Sequence, residues 1–225
     1  MKLLDVITID GPVASGKTTV GKNLAEKLGF TFLDTGVMYR AVTLAVIEHN
    51  IDPHDESAVC ELAEKIVIEV FPASVEDGRQ YDVMVDGQDV TWELKEDAVR
   101  DNVSLISTYQ RVRKAMTDKQ REIGEQGKIV MVGRDIGTVV LPDAAFKFFL
   151  IASVGERAKR RYLETQASGK PATLNEIQKS LEERDKIDSS RKLAPLKPAE
   201  DAVIIDTNNK TISQVVDEIL NHIEG

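Results

Sequence analysis

The sequence predicts a three-layer α/β/α protein, with helices on both faces of a five-stranded parallel sheet and a small antiparallel β insertion. Three observations carry that prediction. Short runs dense in Val, Ile, Leu and Phe alternate with longer stretches of helical period. Those runs are apolar throughout, as strands buried on both faces are. One stretch, residues 66–92, breaks the alternation with a hairpin signal.

The predicted strands of the main sheet are Leu3–Ile9, Phe30–Leu33, Ile129–Val132, Phe146–Ile151 and Ala202–Ile205. After the first comes a helix over Lys17–Leu28, with Val20, Leu24 and Leu28 at four-residue steps and Gly29 as its stop. Val112, Met116 and Ile123 mark a helix further on. In the last helix Ile212, Val215, Val216, Ile219, Leu220 and Ile223 form one stripe, and Thr211 with Gln214 has capping-box spacing. In the odd stretch, Ile66–Phe71, Tyr81–Val85 and Asp89–Trp92 read as short strands, the last two joined by Asp86-Gly87. The insertion is equally readable as a surface excursion with no role. Pro195 and Pro198 mark a loop after a long helix.

Composition bounds the function. The 225 residues suit one domain, or a core with a small insertion. A net charge of −9 argues against a general nucleic-acid binder and leaves anionic small molecules to local Arg and Lys clusters. One cysteine, Cys60, excludes an internal disulfide and a Cys-rich metal site. The apolar runs are too short for a membrane span or a signal peptide, so a cytoplasmic protein is expected, with neither nucleic acid nor membrane as a partner.

The segment Gly11-Pro12-Val13-Ala14-Ser15-Gly16-Lys17-Thr18 fits G-x-x-x-x-G-K-[ST], a chance match on the order of one in a hundred for a chain of this length. It follows a predicted strand and opens a predicted helix, as its mechanism requires. Glycines let successive N–H groups turn inward as an anion nest, and the helix N-terminus adds its dipole. Residues Gly11 to Thr19 are therefore expected to hold a nucleoside triphosphate, Lys17 its β- and γ-phosphates, and Thr18 a Mg²⁺ ion.

Other residues follow the remaining strands. Asp34-Thr35-Gly36 with Tyr39-Arg40 lies after the second, where open α/β sheets bind ligands; a solvated surface charge is the plainer reading of Arg40 alone. Gly133-Arg134-Asp135 follows the third, offering an anion site and a carboxylate, or a simple ion pair. Arg157, Arg160 and Arg161 share a helical face after the fourth, suited to γ-phosphate charge or to plain solvation. Thr173 and Glu176 have capping-box spacing, and a helix from there puts Arg184, Asp188 and Arg191 on one face. That ladder is either an intrahelical salt-bridge network or a pair of guanidinium forks oriented to grip phosphate and ribose.

The whole chain resembles the bacterial cytidylate kinases. The resemblance rests on Ile9-Asp10-Gly11-Pro12 with Gly16-Lys17, Asp34-Thr35-Gly36 with Tyr39-Arg40, Gly133-Arg134-Asp135 with Gly137-Thr138-Val139-Val140, Pro142-Asp143-Ala144, and Glu183-Arg184-Asp185 with Ala194-Pro195-Leu196. It implies a single P-loop kinase unit over residues 1–225, an antiparallel insertion at 66–95 in the monophosphate-binding region, and a helical lid at 155–170. It further implies that Ser104, Arg113 and Asp135 recognise cytosine, that Arg40, Arg134 and Arg191 hold the acceptor phosphate, and that Asp188 with Arg184 holds the ribose. Thr35 and Tyr39 join the acceptor site, Thr35 standing where a Ser is common in the family. Lys17, Arg134, Arg157 and Arg161 are the expected catalytic residues, with Arg157 and Arg161 in the lid.

The expected activity is transfer of the γ-phosphate of ATP, with Mg²⁺, to CMP or dCMP, in pyrimidine nucleotide metabolism, by a monomer. Direct in-line transfer needs no covalent intermediate, and His49, His54 and His222 lie outside every motif. A kinase of another small acceptor, such as UMP or a non-nucleotide, is the alternative enzyme. A nucleotide-dependent switch is the alternative of another class; its guanine signature Asn-Lys-x-Asp is missing from the sequence.

Overall fold

The computed structural model describes residues 3–167, 169 and 171–224, with side chains from residue 5 onward. Residues 168 and 170 of the expected lid lie outside the described residues. The chain forms two compact units, Met1–Phe32 with Gly124–Gly225, and Leu33–Ile123.

The main sheet has the strands β1 (Leu3–Asp10), β2 (Thr31–Asp34), β6 (Ile129–Gly133), β7 (Ala144–Ile151) and β8 (Val203–Asp206), in the order β2-β6-β1-β7-β8. β1 pairs in parallel with β6 and β7, and β7 with β8. The carboxyl ends therefore share one edge, where each following loop emerges. All five expected strands are present within two residues of their expected ends.

Helix α1 (Lys17–Leu28) runs as the periodicity predicts and ends on Gly29 in a left-handed conformation. It packs closely on β6 because Gly21 has no side chain: a Cβ there would lie 2.5 Å from Val132 Cγ1 and 3.1 Å from Phe32 Cε2. Helix α8 (Ile212–Glu224) buries Val215, Val216 and Ile219 in the same core as Val20, Leu24, Val130 and Phe148. Its capping box forms, with Gln214 N–H donating to Thr211 Oγ1 at 3.2 Å and Thr211 N–H donating to Gln214 Oε1 at 2.9 Å. Lys147, the charge inside β7, carries its ammonium out to Asp201, 2.8 Å from Oδ2. Helices α6 (Val154–Ala167) and α7 (Leu174–Ser190) follow β7, and Thr173 and Glu176 close a capping box at the start of α7.

The second unit has its own core, built from α2 (Gly36–Glu48), α3 (Glu56–Lys65), α4 (Asp97–Ile106), α5 (Gln110–Gly124) and the sheet β3-β4-β5, where β3 is Ile68–Pro72, β4 Tyr81–Val85 and β5 Gln88–Asp89. Asp86 and Gly87 both have positive φ, 48° and 82°, the two-residue turn that the Asp-Gly pair announces. The last strand is shorter than the Asp89–Trp92 run suggests. Thr91 Oγ1 takes the Val83 N–H at 2.9 Å, and Trp92 leaves the ladder to donate its indole N–H to Asp77 at 3.0 Å. Arg79 closes the β3–β4 connection through ion pairs with Asp77, Asp82 and Asp89. Ser104 sits within α4 and Arg113 within α5.

Filling the close approach at Gly21 tests the core. Gly21→Ala is expected to lower stability by about 1–3 kcal/mol, because the new methyl forces α1 off β6. Chemical denaturation measures it; an unchanged midpoint would mean the helix shifts at no cost.

Candidate active site

The loop from Gly11 to Gly16 leaves β1 and enters α1 through three left-handed or otherwise positive dihedrals: Gly11 at φ 153°, Ala14 at 59° and Gly16 at 91°. Gly16 is the N-cap of α1 and offers no side-chain cap, so the first N–H groups of the helix have no capping oxygen from it. That suits an anion. A Cβ at Gly11 would come within 2.4 Å of the Leu150 carbonyl, so only glycine lets the loop start this close to β7.

Several loop carbonyls are held by donors. Lys17 Nζ donates to the Pro12 carbonyl at 2.9 Å. Arg157 Nη1 donates to the Val13 carbonyl at 3.2 Å. The Ser15 carbonyl accepts from Thr207 Oγ1 at 3.2 Å and from Arg160 Nη1 at 3.5 Å. Thr18, half-buried in the first turn of α1, is the hydroxyl expected to meet a metal ion.

The arginine row on α6 divides. Arg157 is buried and forks onto Asp185, at 3.1 and 2.5 Å. Arg160 turns to Thr207, donating to its hydroxyl at 3.0 Å and its carbonyl at 2.6 Å. Arg161 faces solvent and pairs with Glu164 at 3.0 Å. The structure brings Arg157 and Arg160 to the phosphate loop and directs Arg161 elsewhere.

The ladder on α7 gathers a further member. Asp188 is fully buried; Arg134 Nε lies 2.6 Å from one of its oxygens, and Arg191 Nη2 and Arg184 Nε lie 2.5 and 3.5 Å from the other. Arg191 is the residue that ends α7, not one inside it, which lets it swing back to Asp188. Burial pushes the Asp188 carboxyl up, but the three guanidiniums outweigh it and hold the group below its ordinary range. Three positive charges around one negative leave a local excess of positive charge in an acidic protein.

Asp135 is buried and starts a single π turn over Ile136–Val140, with Leu141 N–H reaching the Ile136 carbonyl at 2.7 Å. That turn is fastened by Asp10, at the end of β1, whose carboxylate accepts the N–H of Ile136 at 2.9 Å and of Gly137 at 2.8 Å. Desolvation raises the Asp10 pKa to about 7 against those two hydrogen bonds; Asp135 raises it further and Lys17 opposes. Asp10 ties the phosphate loop to the Gly-Arg-Asp turn, a role that sequence reasoning missed although the residue lies in a quoted motif.

In the second unit Thr35 is buried and precedes α2, where the Asp34 carboxylate accepts the Gly36 N–H at 3.0 Å. Arg40 donates to the Leu94 carbonyl at 3.3 Å, and Arg113 lies over the Tyr39 ring, 5.6 Å from its centroid. Ser104 and Arg113 are joined through Ser107: its hydroxyl donates to the Ser104 carbonyl at 2.9 Å, and its carbonyl accepts from Arg113 at 3.2 Å. Tyr81, on β4, lies within electrostatic reach of Asp34 and Arg40. Burial raises its phenol well above the usual range, with the Asp34 charge adding and Arg40 opposing.

A family model described as cytidylate kinase matches residues 7–225. The chain belongs to the cytidylate kinase family. A cytidylate kinase of Limosilactobacillus reuteri is 50% identical over 214 residues, covering 95% of this chain and 92% of that one. One of Bacillus subtilis is 44% identical over 218 residues, covering 97% and 96%. Among solved structures, a gluconokinase of Sinorhizobium meliloti aligns at 14% identity with a TM-score of 0.51, over 100% of this chain and 94% of that chain, a likeness of fold alone. The cytidylate kinase motifs therefore sit on a fold shared with that gluconokinase. Among the described residues no group of three or more His, Cys, Asp and Glu could hold a metal ion, and no helix is long and apolar enough to cross a membrane.

The Asp10 carboxyl makes stability depend on pH. Its folded pKa lies above the unfolded value of 3.8, so its contribution is fully present below pH 4 and is lost as pH rises through about 7. Asp10→Asn is expected to flatten the fall in unfolding free energy between about pH 4 and 7 by about one proton's worth of slope. Denaturant melts across that range measure it; parallel wild-type and variant curves would mean Asp10 titrates normally.

Proposed function

We propose that this chain transfers the γ-phosphate of ATP to CMP or dCMP, giving ADP and CDP or dCDP, by direct in-line transfer. The observation that carries the reading is the Arg134–Arg184–Arg191 cluster around buried Asp188, in the same compact unit as a phosphate loop. One site supplies backbone N–H groups and a helix N-terminus for a triphosphate; the other supplies guanidinium forks for a second phosphate. A kinase acting on a phosphorylated acceptor needs both.

The donor phosphates are assigned to residues Gly11 to Thr19, with Mg²⁺ on the Thr18 hydroxyl, where it would neutralise charge on the β- and γ-phosphates. Lys17, which donates to the Pro12 carbonyl of the loop, is assigned to the γ-phosphate, where charge develops during transfer. Arg134 and Arg191 hold the acceptor phosphate, and Arg134 also stabilises charge in the transition state. Asp188 with Arg184 orients the ribose. Asp135 accepts from the exocyclic amine of cytosine, a position where uracil carries a carbonyl. Within the second unit, Thr35, Tyr39, Arg40, Ser104 and Arg113 are assigned to the monophosphate. Burial of Asp135 and Asp188 strengthens what each carboxylate accepts, since water does not compete.

A coupled assay with CMP, dCMP, UMP and AMP tests the assignment. CMP and dCMP are expected to turn over fastest, and Lys17→Ala to lower kcat by at least about a hundredfold with an unchanged dichroism spectrum. Acceptor-independent slow hydrolysis would favour a switch protein instead.

Asp135→Ala is expected to reduce the CMP/UMP ratio of kcat/KM by about 1–3 kcal/mol while ATP affinity holds. An unchanged ratio with ATP affinity lost would move Asp135 from the base to the metal.

A further inference from the structure

Asp185 lies in the Glu183-Arg184-Asp185 motif, one residue from the ladder, yet it faces a different partner. Its two oxygens take Nη1 and Nη2 of Arg157 as a bidentate fork. The same guanidinium donates to the Ala152 carbonyl through Nε at 3.1 Å and to the Val13 carbonyl through Nη1 at 3.2 Å. Arg157 is 3% exposed, with all three nitrogens so engaged. A guanidinium in that state is a strut between α7, the end of β7 and the phosphate loop.

The Val13 carbonyl is where the strut matters. The peptide unit is planar, so its C=O and the N–H of Ala14 point in opposite directions. Holding the Val13 oxygen toward Arg157 aims the Ala14 N–H away from Arg157. Ala14 itself has φ 59°, a left-handed conformation that costs energy for a residue with a Cβ and persists only where its surroundings impose it. The strained peptide and the hydrogen bond that holds it are adjacent in the chain.

We propose that Asp185 is a positioning residue for the phosphate loop: it locks the Arg157 guanidinium onto the Val13 carbonyl and so presents the Ala14 N–H to the donor's phosphates. This rests on the reading of that loop as an ATP site. It separates Asp185 from Arg184 and Asp188. Although it shares their helix, its effect falls on the triphosphate and not on the monophosphate. It also makes Arg157 a buried support of the loop in place of an arginine that closes over the γ-phosphate.

The test uses the full-length protein with Asp185→Ala, Arg157→Ala and the double variant. ATP affinity is read by calorimetry without acceptor, and KM for ATP and for CMP by steady state. Each single variant is expected to weaken ATP binding about tenfold and to leave KM for CMP within about twofold, and the double variant to be no weaker than Arg157→Ala alone. Asp185→Asn, which keeps the size of the side chain, replaces Asp185→Ala if the latter does not fold. A rise in KM for CMP with ATP affinity intact would overturn the proposal, as would losses that add in the double variant or single variants that bind ATP as wild type does. Failure of the underlying reading is separate: the wild-type protein itself would then not bind ATP.

Discussion

A turn that curls against the preferences of its own dihedrals has to be held, and the loop between β1 and α1 is such a turn. Gly11, Ala14 and Gly16 all have positive φ, and glycine relieves the strain at only two of them. The rest is restrained at carbonyls, by Lys17 on Pro12, Arg157 on Val13, and Thr207 with Arg160 on Ser15. Each bond fixes a peptide plane, and with it the direction of the next N–H. The loop's capacity to meet phosphate thus depends on side chains from α6 and from the turn after β8, far from the motif itself in sequence.

A second constraint is electrostatic. Asp188 is buried without loss of its charge because three arginines surround it, and the arginines are aligned because a single carboxylate collects them. Removing water from a carboxylate alone would push its pKa up. Here the net direction is down, because the cations more than offset desolvation. The opposite outcome at Asp10 follows from the same balance. Two backbone N–H groups and the Lys17 charge do not offset full burial beside Asp135, and its pKa rises to about 7. One buried carboxylate organises charge, and the other fastens backbone.

Much of the framework was legible in residue order. Core strands are continuous apolar runs because both their faces are covered, and α1 and α8 show their buried faces at helical spacing. The Asp-Gly turn and the capping boxes at Thr173 and Thr211 are local chemistry, decided within three or four residues. The third strand of the small sheet ends at Asp89, short of the β-prone run to Trp92, because the Trp92 indole is drawn to Asp77, fifteen positions earlier. The π turn after Asp135 had no local signal; it depends on Asp10, which lies 126 residues before Ile136.

By itself the sequence determined the alternation of strand and helix, the phosphate loop, the hairpin and the family motifs. These rest on periodicity and on short-range geometry, which residue order contains directly. Tertiary structure alone decided which arginine meets which carboxylate: Arg157 with Asp185 across 28 positions, Arg134 with Asp188 across 54, and Arg161 with neither but with Glu164 three residues on. In sequence any arginine can pair with any aspartate, since charge carries no register. Only the parallel sheet, by delivering its loops to one edge and backing them with α6 and α7, brings particular ones within hydrogen-bond reach and excludes the water that would make the choice unimportant.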